Sequence, residues 1–123
     1  EPVGRWTPIA VPAFWAETAV GDYFGYGWYR TRFKLPAAFR GRPVRLLFGG
    51  VDEQAWVYVN GELVREHTPA SESLNIDALW DKPFVAEVAP ERLKTDDWNI
   101  LTVRVYASRG NAGIWRPVLA QIQ

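Results

Sequence analysis

Apolar and polar residues alternate with a period of two through most of this 123-residue chain. Residues 28–35 set Tyr29, Thr31, Phe33 and Leu35 on one face and Trp28, Arg30, Arg32 and Lys34 on the other, before Pro36 ends the run. This is the pattern of a half-buried strand. Shorter strand signals follow at 44–48 and 84–88, and 98–106 alternates again with Leu101, Val103 and Val105 on one face. A closing strand is expected over 114–122.

The organising stretch is 47–64, where two strand-forming runs flank Asn60-Gly61. That dipeptide favours a two-residue type I′ hairpin, because both turn positions need φ > 0. An uninterrupted ladder sets Tyr58 opposite Leu63 and Val57 opposite Val64. Ala55, Val57, Val59 and Val64 then share a core face, and Trp56, Tyr58, Leu63 and Arg65 share the other. The second face reads as a surface covered by a loop, a ligand or another domain. About eight short strands with regular turn signals and no long helical pattern predict an all-β fold, an antiparallel β-sandwich. The predicted core comprises Tyr29, Phe33, Leu46, Phe48, Val57, Val59, Leu101, Val103 and Val105.

Between the strands, 6–12 reads as a proline-limited edge segment and 13–27 as a glycine-containing loop dense in aromatics, including Tyr23 and Tyr26. Residues 67–83 form a long connection with room for one helical turn, and 90–97 a turn-rich link. The length fits one domain, residues 1–123, with no internal linker, and Glu1-Pro2-Val3-Gly4 reads as a cut inside a longer polypeptide.

Composition narrows the chemistry. Fourteen Lys and Arg balance fourteen Asp and Glu, which argues against a nucleic-acid or anionic-membrane partner, and no apolar run is long enough for a membrane helix. Cysteine is absent, which excludes disulfides and thiolate metal sites, and fits an extracellular or periplasmic setting in a bacterium. No cofactor is expected: Asp96-Asp97 reads as a solvated turn, and the alternative, a structural Ca²⁺ held by this pair, has no Ca²⁺-loop motif to support it. Asp52 and Glu53 are adjacent on a strand and point apart, unlike the facing carboxylates of a glycosidase. Asp52 reads either as a contact to a sugar hydroxyl or cation, or as a turn residue bonding local backbone. His67, the sole histidine, comes with no nucleophile or HExxH motif and reads as a hydrogen-bonding loop residue.

Aromatics carry the remaining signal: seven Trp, five Tyr and six Phe stand near Asp, Asn, Arg and Glu, a combination suited to the apolar faces and hydroxyl edges of sugars. The expected ligand-binding set is Tyr23, Tyr26, Trp28, Asp52, Glu53, His67, Trp80, Asn111, Trp115 and Arg116, gathered at one loop end.

Six segments in order, 27–33, 48–52, 57–64, 83–84, 99–105 and 112–118, together resemble the N-terminal sugar-binding domain of glycoside hydrolase family 2, the β-galactosidase and β-glucuronidase group. The resemblance covers nearly the whole chain and implies a galactose-binding-like jelly roll. It also implies a non-catalytic role, because the catalytic domain of such enzymes is a separate barrel to which this domain lends a few edge residues. One of these, an Asp or Asn after a Gly-Val pair, is matched by Asp52. Another, an Asp seven positions before the Ile of the Gly-Ile-aromatic-Arg motif, falls on Ala107, so that carboxylate is missing. The 67–83 connection is also longer than its family counterpart and brings in Trp80. Two readings follow: a monomeric carbohydrate-binding module for an oligosaccharide or polysaccharide, or an accessory domain packed on the catalytic domain of the same polypeptide without binding free sugar.

Overall fold

The computed structural model describes residues 25–108 and 112–122. Nine strands are present among them: β1 (Gly25–Phe33), β2 (Val44–Phe48), β3 (Val51–Asp52), β4 (Gln54–Val59), β5 (Glu62–His67), β6 (Phe84–Val88), β7 (Asn99–Ala107), β8 (Gly113–Ile114) and β9 (Val118–Ile122). One sheet has the order β1-β7-β4-β5 and another β6-β2-β9, while β3 and β8 form a two-stranded piece; every pairing is antiparallel. A single α-helical turn, α1 (Pro69–Glu72), and 3₁₀ turns at Ala37–Phe39, Ile76–Ala78 and Pro90–Arg92 occupy the connections. The fold is the expected antiparallel β-sandwich of jelly-roll type.

Alternation decides what lies between the sheets. Ala55, Val57 and Val59 of β4 and Val103 and Val105 of β7 are buried, and they join Val44, Leu46, Phe48, Phe84, Ala86 and Val88 from the second sheet in one core. Each fully buried valine contributes about 1.5–3 kcal/mol relative to exposure. Phe48 and Phe84, paired across β2 and β6, stack with centroids 4.8 Å apart. Tyr29, Phe33 and Leu101 are only partly buried and close the margin of this core. The Tyr29 hydroxyl accepts the Ile114 N–H at 3.0 Å, fastening β8 to β1.

Three local expectations change. The loop drawn to residue 27 ends earlier, because Gly25 already pairs with Ala107. The closing strand is split into β8 and β9, with Pro117 unable to donate in between. The hairpin carries a β-bulge: Val59 lies opposite Glu62 and Tyr58 opposite Leu63, but Val57 lies opposite Arg65 rather than Val64. The extra residue, Val64, packs against the core, and the parity of everything after it is inverted. Arg65 and His67 therefore turn inward, where an uninterrupted ladder would have set them outward. Arg65 Nε donates to the Val85 carbonyl at 2.9 Å and so bridges the two sheets. The segment 6–12 lies outside the described residues.

Asn60 and Gly61 have φ of 50° and 86°, the two positive values the turn requires. Asn60 also donates through Nδ2 to the Arg92 carbonyl (2.7 Å) and to Asn99 Oδ1 (3.0 Å), and its Oδ1 accepts the Ile100 N–H (2.9 Å). Replacing Asn60 with Ala removes these bonds as well as the tolerance for the left-handed region. Gly61→Ala meets open space and adds only the backbone strain. Urea denaturation should therefore show a loss of about 2–3 kcal/mol for Asn60→Ala and about 1 kcal/mol for Gly61→Ala.

Candidate functional site

The Gly49-Gly50 step and the Trp115-Arg116 step, far apart in sequence, meet at one rim of the sandwich. Trp115 and Arg116 N–H groups donate to the Gly50 carbonyl at 3.2 and 3.4 Å, and Arg116 Nη1 donates to the Gly49 carbonyl at 3.3 Å. A Cβ on Gly50 would stand 2.9 Å from the Trp115 indole, and one on Gly49 2.9 Å from Arg116 Cβ. Both glycines are thus required by close approach rather than by turn geometry. Trp115 is stacked on Trp80 with centroids 5.4 Å apart, and its Nε1–H donates to the Trp80 carbonyl at 2.7 Å. The Arg116 guanidinium lies 4.0 Å from the Trp115 ring centroid. Trp80 is 42% exposed, so this two-ring unit is open to solvent on one side. Half-buried Asp52 stands opposite Gly113 in the adjoining β3–β8 piece.

Trp80 reaches the rim because the long connection is anchored beneath it. Thr68 caps α1 in a reciprocal box with Ser71 (3.1 and 2.7 Å), with Pro69 in the first turn, and this presents Glu72 to Arg65 at 2.7 Å. His67, fully buried by the inverted parity of β5, stacks on Phe84 at 4.2 Å, and its Nε2 donates to the Leu79 carbonyl at 3.1 Å. Leu79, also fully buried, immediately precedes Trp80. That bond assigns the neutral tautomer and leaves Nδ1 facing Glu72 at 3.5 Å without a hydrogen bond.

The expected ligand set is consequently divided. Asp52, Trp80, Trp115 and Arg116 share the rim. Glu53, joined to Asp52 by a cis peptide bond, is buried and accepts from Ser108 N–H (2.7 Å) and Oγ–H (2.5 Å), so it holds the end of β7 instead of facing solvent. His67 is likewise interior. Tyr26 and Trp28 lie on β1, on the outer face of the four-stranded sheet, together with Trp56, Tyr58, Arg104 and Tyr106. Arg104 and Tyr106 were absent from the expected set, although the alternation of Leu101, Val103 and Val105 inward implied both outward. Tyr23 and Asn111 lie outside the described residues. Among the described residues, no three His, Asp or Glu side chains are grouped as metal ligands, and no helix is long and apolar enough to cross a membrane. A cleft of about 570 Å³ beside Asn60, lined by Glu62, Arg92 and Lys94, is at the hairpin-turn end and includes none of the rim residues.

No family model matches the chain. A β-galactosidase from Thermoanaerobacter pseudethanolicus is 48% identical over 46 residues, 37% of this chain and 6% of that enzyme. A glycosyl hydrolase family 2 member from Bacteroides cellulosilyticus superposes with a TM-score of 0.75 at 22% identity, over 97% of this chain and 17% of its own. The β-glucuronidase of Bacteroides uniformis gives 0.72 at 25% identity over 94% and 14%, and that of Dictyoglomus thermophilum 0.69 at 25% over 86% and 17%. The structural neighbours are glycoside hydrolase family 2 enzymes. This chain spans less than a fifth of each of these structures. Its Gly-Gly-Val-Asp and Gly-Ile-Trp-Arg segments, two of those on which the family resemblance rests, are the two that lock together at the rim.

Two measurements probe this arrangement. Gly50→Ala should displace Trp115 from its seat and weaken the near-ultraviolet circular dichroism of its indole, while the melting transition stays cooperative. The second concerns protons. Burial holds the His67 imidazole below its ordinary value of 6.5, outweighing the Leu79 carbonyl and Glu72, which pull upward. For Glu72, burial alone would raise the value, but Arg65 and Ser71 hold it below 4.5. In both cases the unfolded chain takes up the proton more readily. Stability is therefore complete above about pH 6.5, falls as His67 is forced to charge below that, and falls further below about pH 4.5. Melting temperature should drop between pH 7.5 and 5.5, and His67→Phe should flatten that dependence while costing about 1–3 kcal/mol at pH 7.5 through the orphaned Leu79 carbonyl.

Proposed function

We propose that this chain is a non-catalytic, monomeric carbohydrate-binding domain of a secreted family 2 type glycosidase, contacting sugar at the rim formed by Asp52, Trp80, Trp115 and Arg116. The observation that carries this reading is the Trp80–Trp115 pair: two indoles fixed to each other by a ring stack and a hydrogen bond, with one left exposed. A core tryptophan needs no such exposure, and a stacking platform does. Asp52 on the adjoining β3 and the Arg116 guanidinium against Trp115 supply an acceptor and donors for hydroxyls at the edge of a stacked ring. The likeness to family 2 enzymes supports an accessory role beside a catalytic domain of the same polypeptide.

Hydrolysis by this chain is not part of the proposal. Glu53, the neighbour that would have to act with Asp52, is engaged by Ser108 in the interior. No cofactor is needed for recognition of this kind.

Isothermal titration of the folded chain with galactosides, glucuronides and their oligomers tests the reading. Binding is expected with Kd on the order of 10⁻³ to 10⁻⁵ M, about −4 to −7 kcal/mol, because desolvation of hydroxyls offsets much of the contact energy. Trp80→Ala should weaken it by roughly 1–3 kcal/mol, and no reducing sugar should be released. A folded parent that binds none of these glycans would leave the packing role alone standing.

A further inference from the structure

The outer face of the four-stranded sheet has a composition that the fold does not require. Register sets three rows across it: Tyr26–Tyr106–Gln54, then Trp28–Arg104–Trp56–Glu66, then Arg30–Thr102–Tyr58–Leu63. Beyond them, Arg32 lies opposite Ile100, and Arg32 and Lys34 cover Trp98 at 4.2 and 4.7 Å. Among the described residues, Tyr26, Leu63, Trp98 and Ile100, four of the six exposed large hydrophobics, belong to this face. At its centre the Arg104 guanidinium lies 4.2 Å from Trp56, 4.7 Å from Tyr26 and 5.9 Å from Trp28, and its Nε is buried without a hydrogen-bond partner. Tyr26 packs on Tyr106 at 4.9 Å, and Trp28 stacks with Tyr58 at 6.0 Å.

Charge is segregated as well. In a chain of net charge zero, this face carries Arg30, Arg32, Lys34 and Arg104 against Glu66. We propose that it is a second binding surface, a strip for an anionic polysaccharide such as a polyuronate, separate from the rim. Four strands about 4.8 Å apart make the strip roughly 15 Å wide, enough for an extended chain rather than a single sugar. Each row joins a ring with a polar group, so a glycan laid across it meets π-faces for its C–H surfaces and donors for its hydroxyls and carboxylates. Arginine is suited to the carboxylate, because its planar fork can pair with it while stacking on the rings. The cationic excess selects an anionic chain over a neutral one, and the interleaving of polar groups in every row favours a glycan over an apolar protein patch. This inference extends the sugar-binding reading but does not use the rim residues, so the two fail separately.

Affinity electrophoresis of the folded chain through gels containing polygalacturonate, neutral galactan or poly-glutamate, over a series of NaCl concentrations, decides it. Retardation by polygalacturonate is expected, weakening as salt rises. The Arg30→Gln/Arg32→Gln double variant, on the exposed part of β1 and so able to fold, should raise Kd at least tenfold. Trp56→Ala should do the same if its circular dichroism is native. Lys94→Gln, a cation at the opposite cleft, should leave retardation unchanged. No retardation by polygalacturonate overturns the proposal. So does equal retardation by poly-glutamate together with indifference to Trp56→Ala, which would mark a surface for acidic protein. A loss in Trp80→Ala equal to that in the arginine variant also overturns it, by moving the glycan to the rim. A rim that binds neutral galactosides while the face variants change nothing would leave the rim reading standing alone.

Discussion

Register in the four-stranded sheet rests on one pair of side-chain amides. Asn99 is fully buried; its Oδ1 accepts from Asn60 Nδ2 and the Lys94 N–H, and its Nδ2 donates to the Lys94 carbonyl. Asn60 in turn exchanges bonds with the Ile100 backbone, while its own left-handed conformation makes the hairpin turn. The same residue therefore closes β4 onto β5 and indexes β4 against β7. Because side chains alternate, a slip of one residue between those strands would put the valines of one on the face of the other's polar residues, and one strand's Val57 and Val59, or Val103 and Val105, would turn outward. Both the core and the aromatic outer face follow from this knot. Its groups are satisfied by one another and by backbone, the condition under which a buried polar network specifies a register instead of weakening the fold.

The bulge at Val64 does the opposite kind of work. Where the Asn pair preserves alternation, one surplus residue reverses it along the remainder of β5. Burying an arginine and a histidine at the margin of an apolar core is unfavourable unless they are paired. The long connection supplies those partners: Glu72 on α1 for Arg65, and the Leu79 carbonyl for His67. The loop is held because β5 needs it, and Trp80 is delivered to the rim as a consequence. Loop length alone does not explain Trp80. The inverted strand beneath it does.

This also explains what could be read from the residues and what could not. Strands β2 and β6 were legible to the residue, as was the choice of inward face on β4 and β7, since a period of two survives in the sequence wherever the ladder is regular. The bulge left no comparable mark: Leu63-Val64-Arg65 reads as an ordinary strand, and which valine goes unpaired is set by tertiary demand from Glu72 and Val85. His67 consequently reads as a rim residue although its partner is interior, and the Ser108 contact that turns Glu53 inward leaves no mark in the sequence either. Tyr26 reads as a loop residue because Gly25 and Gly27 look like breakers, yet β7 offers a long partner strand and the pairing extends to Gly25. The meeting of Gly49-Gly50 with Trp115-Arg116 was visible only as two separate segments; the steric reason that joins them requires coordinates.

The corner around Glu53 makes a carboxylate into an interior fastening. The family resemblance implies a carboxylate at the position of Ala107, but Ala107 is buried at the end of β7, next to Ser108, whose N–H and hydroxyl both bond Glu53. An aspartate at 107 would lie close to a second buried carboxylate, and two like charges there would favour a proton on one of them. Alanine removes that conflict and lets Glu53 act as a clamp on the strand end. Glu53 is thereby committed to a fixed corner, while half-buried Asp52 adjoins the Trp80–Trp115 pair and Arg116 at the rim. Asp52 and Glu53, one at the rim and one interior, do not face each other as the two carboxyls of a glycosidase do.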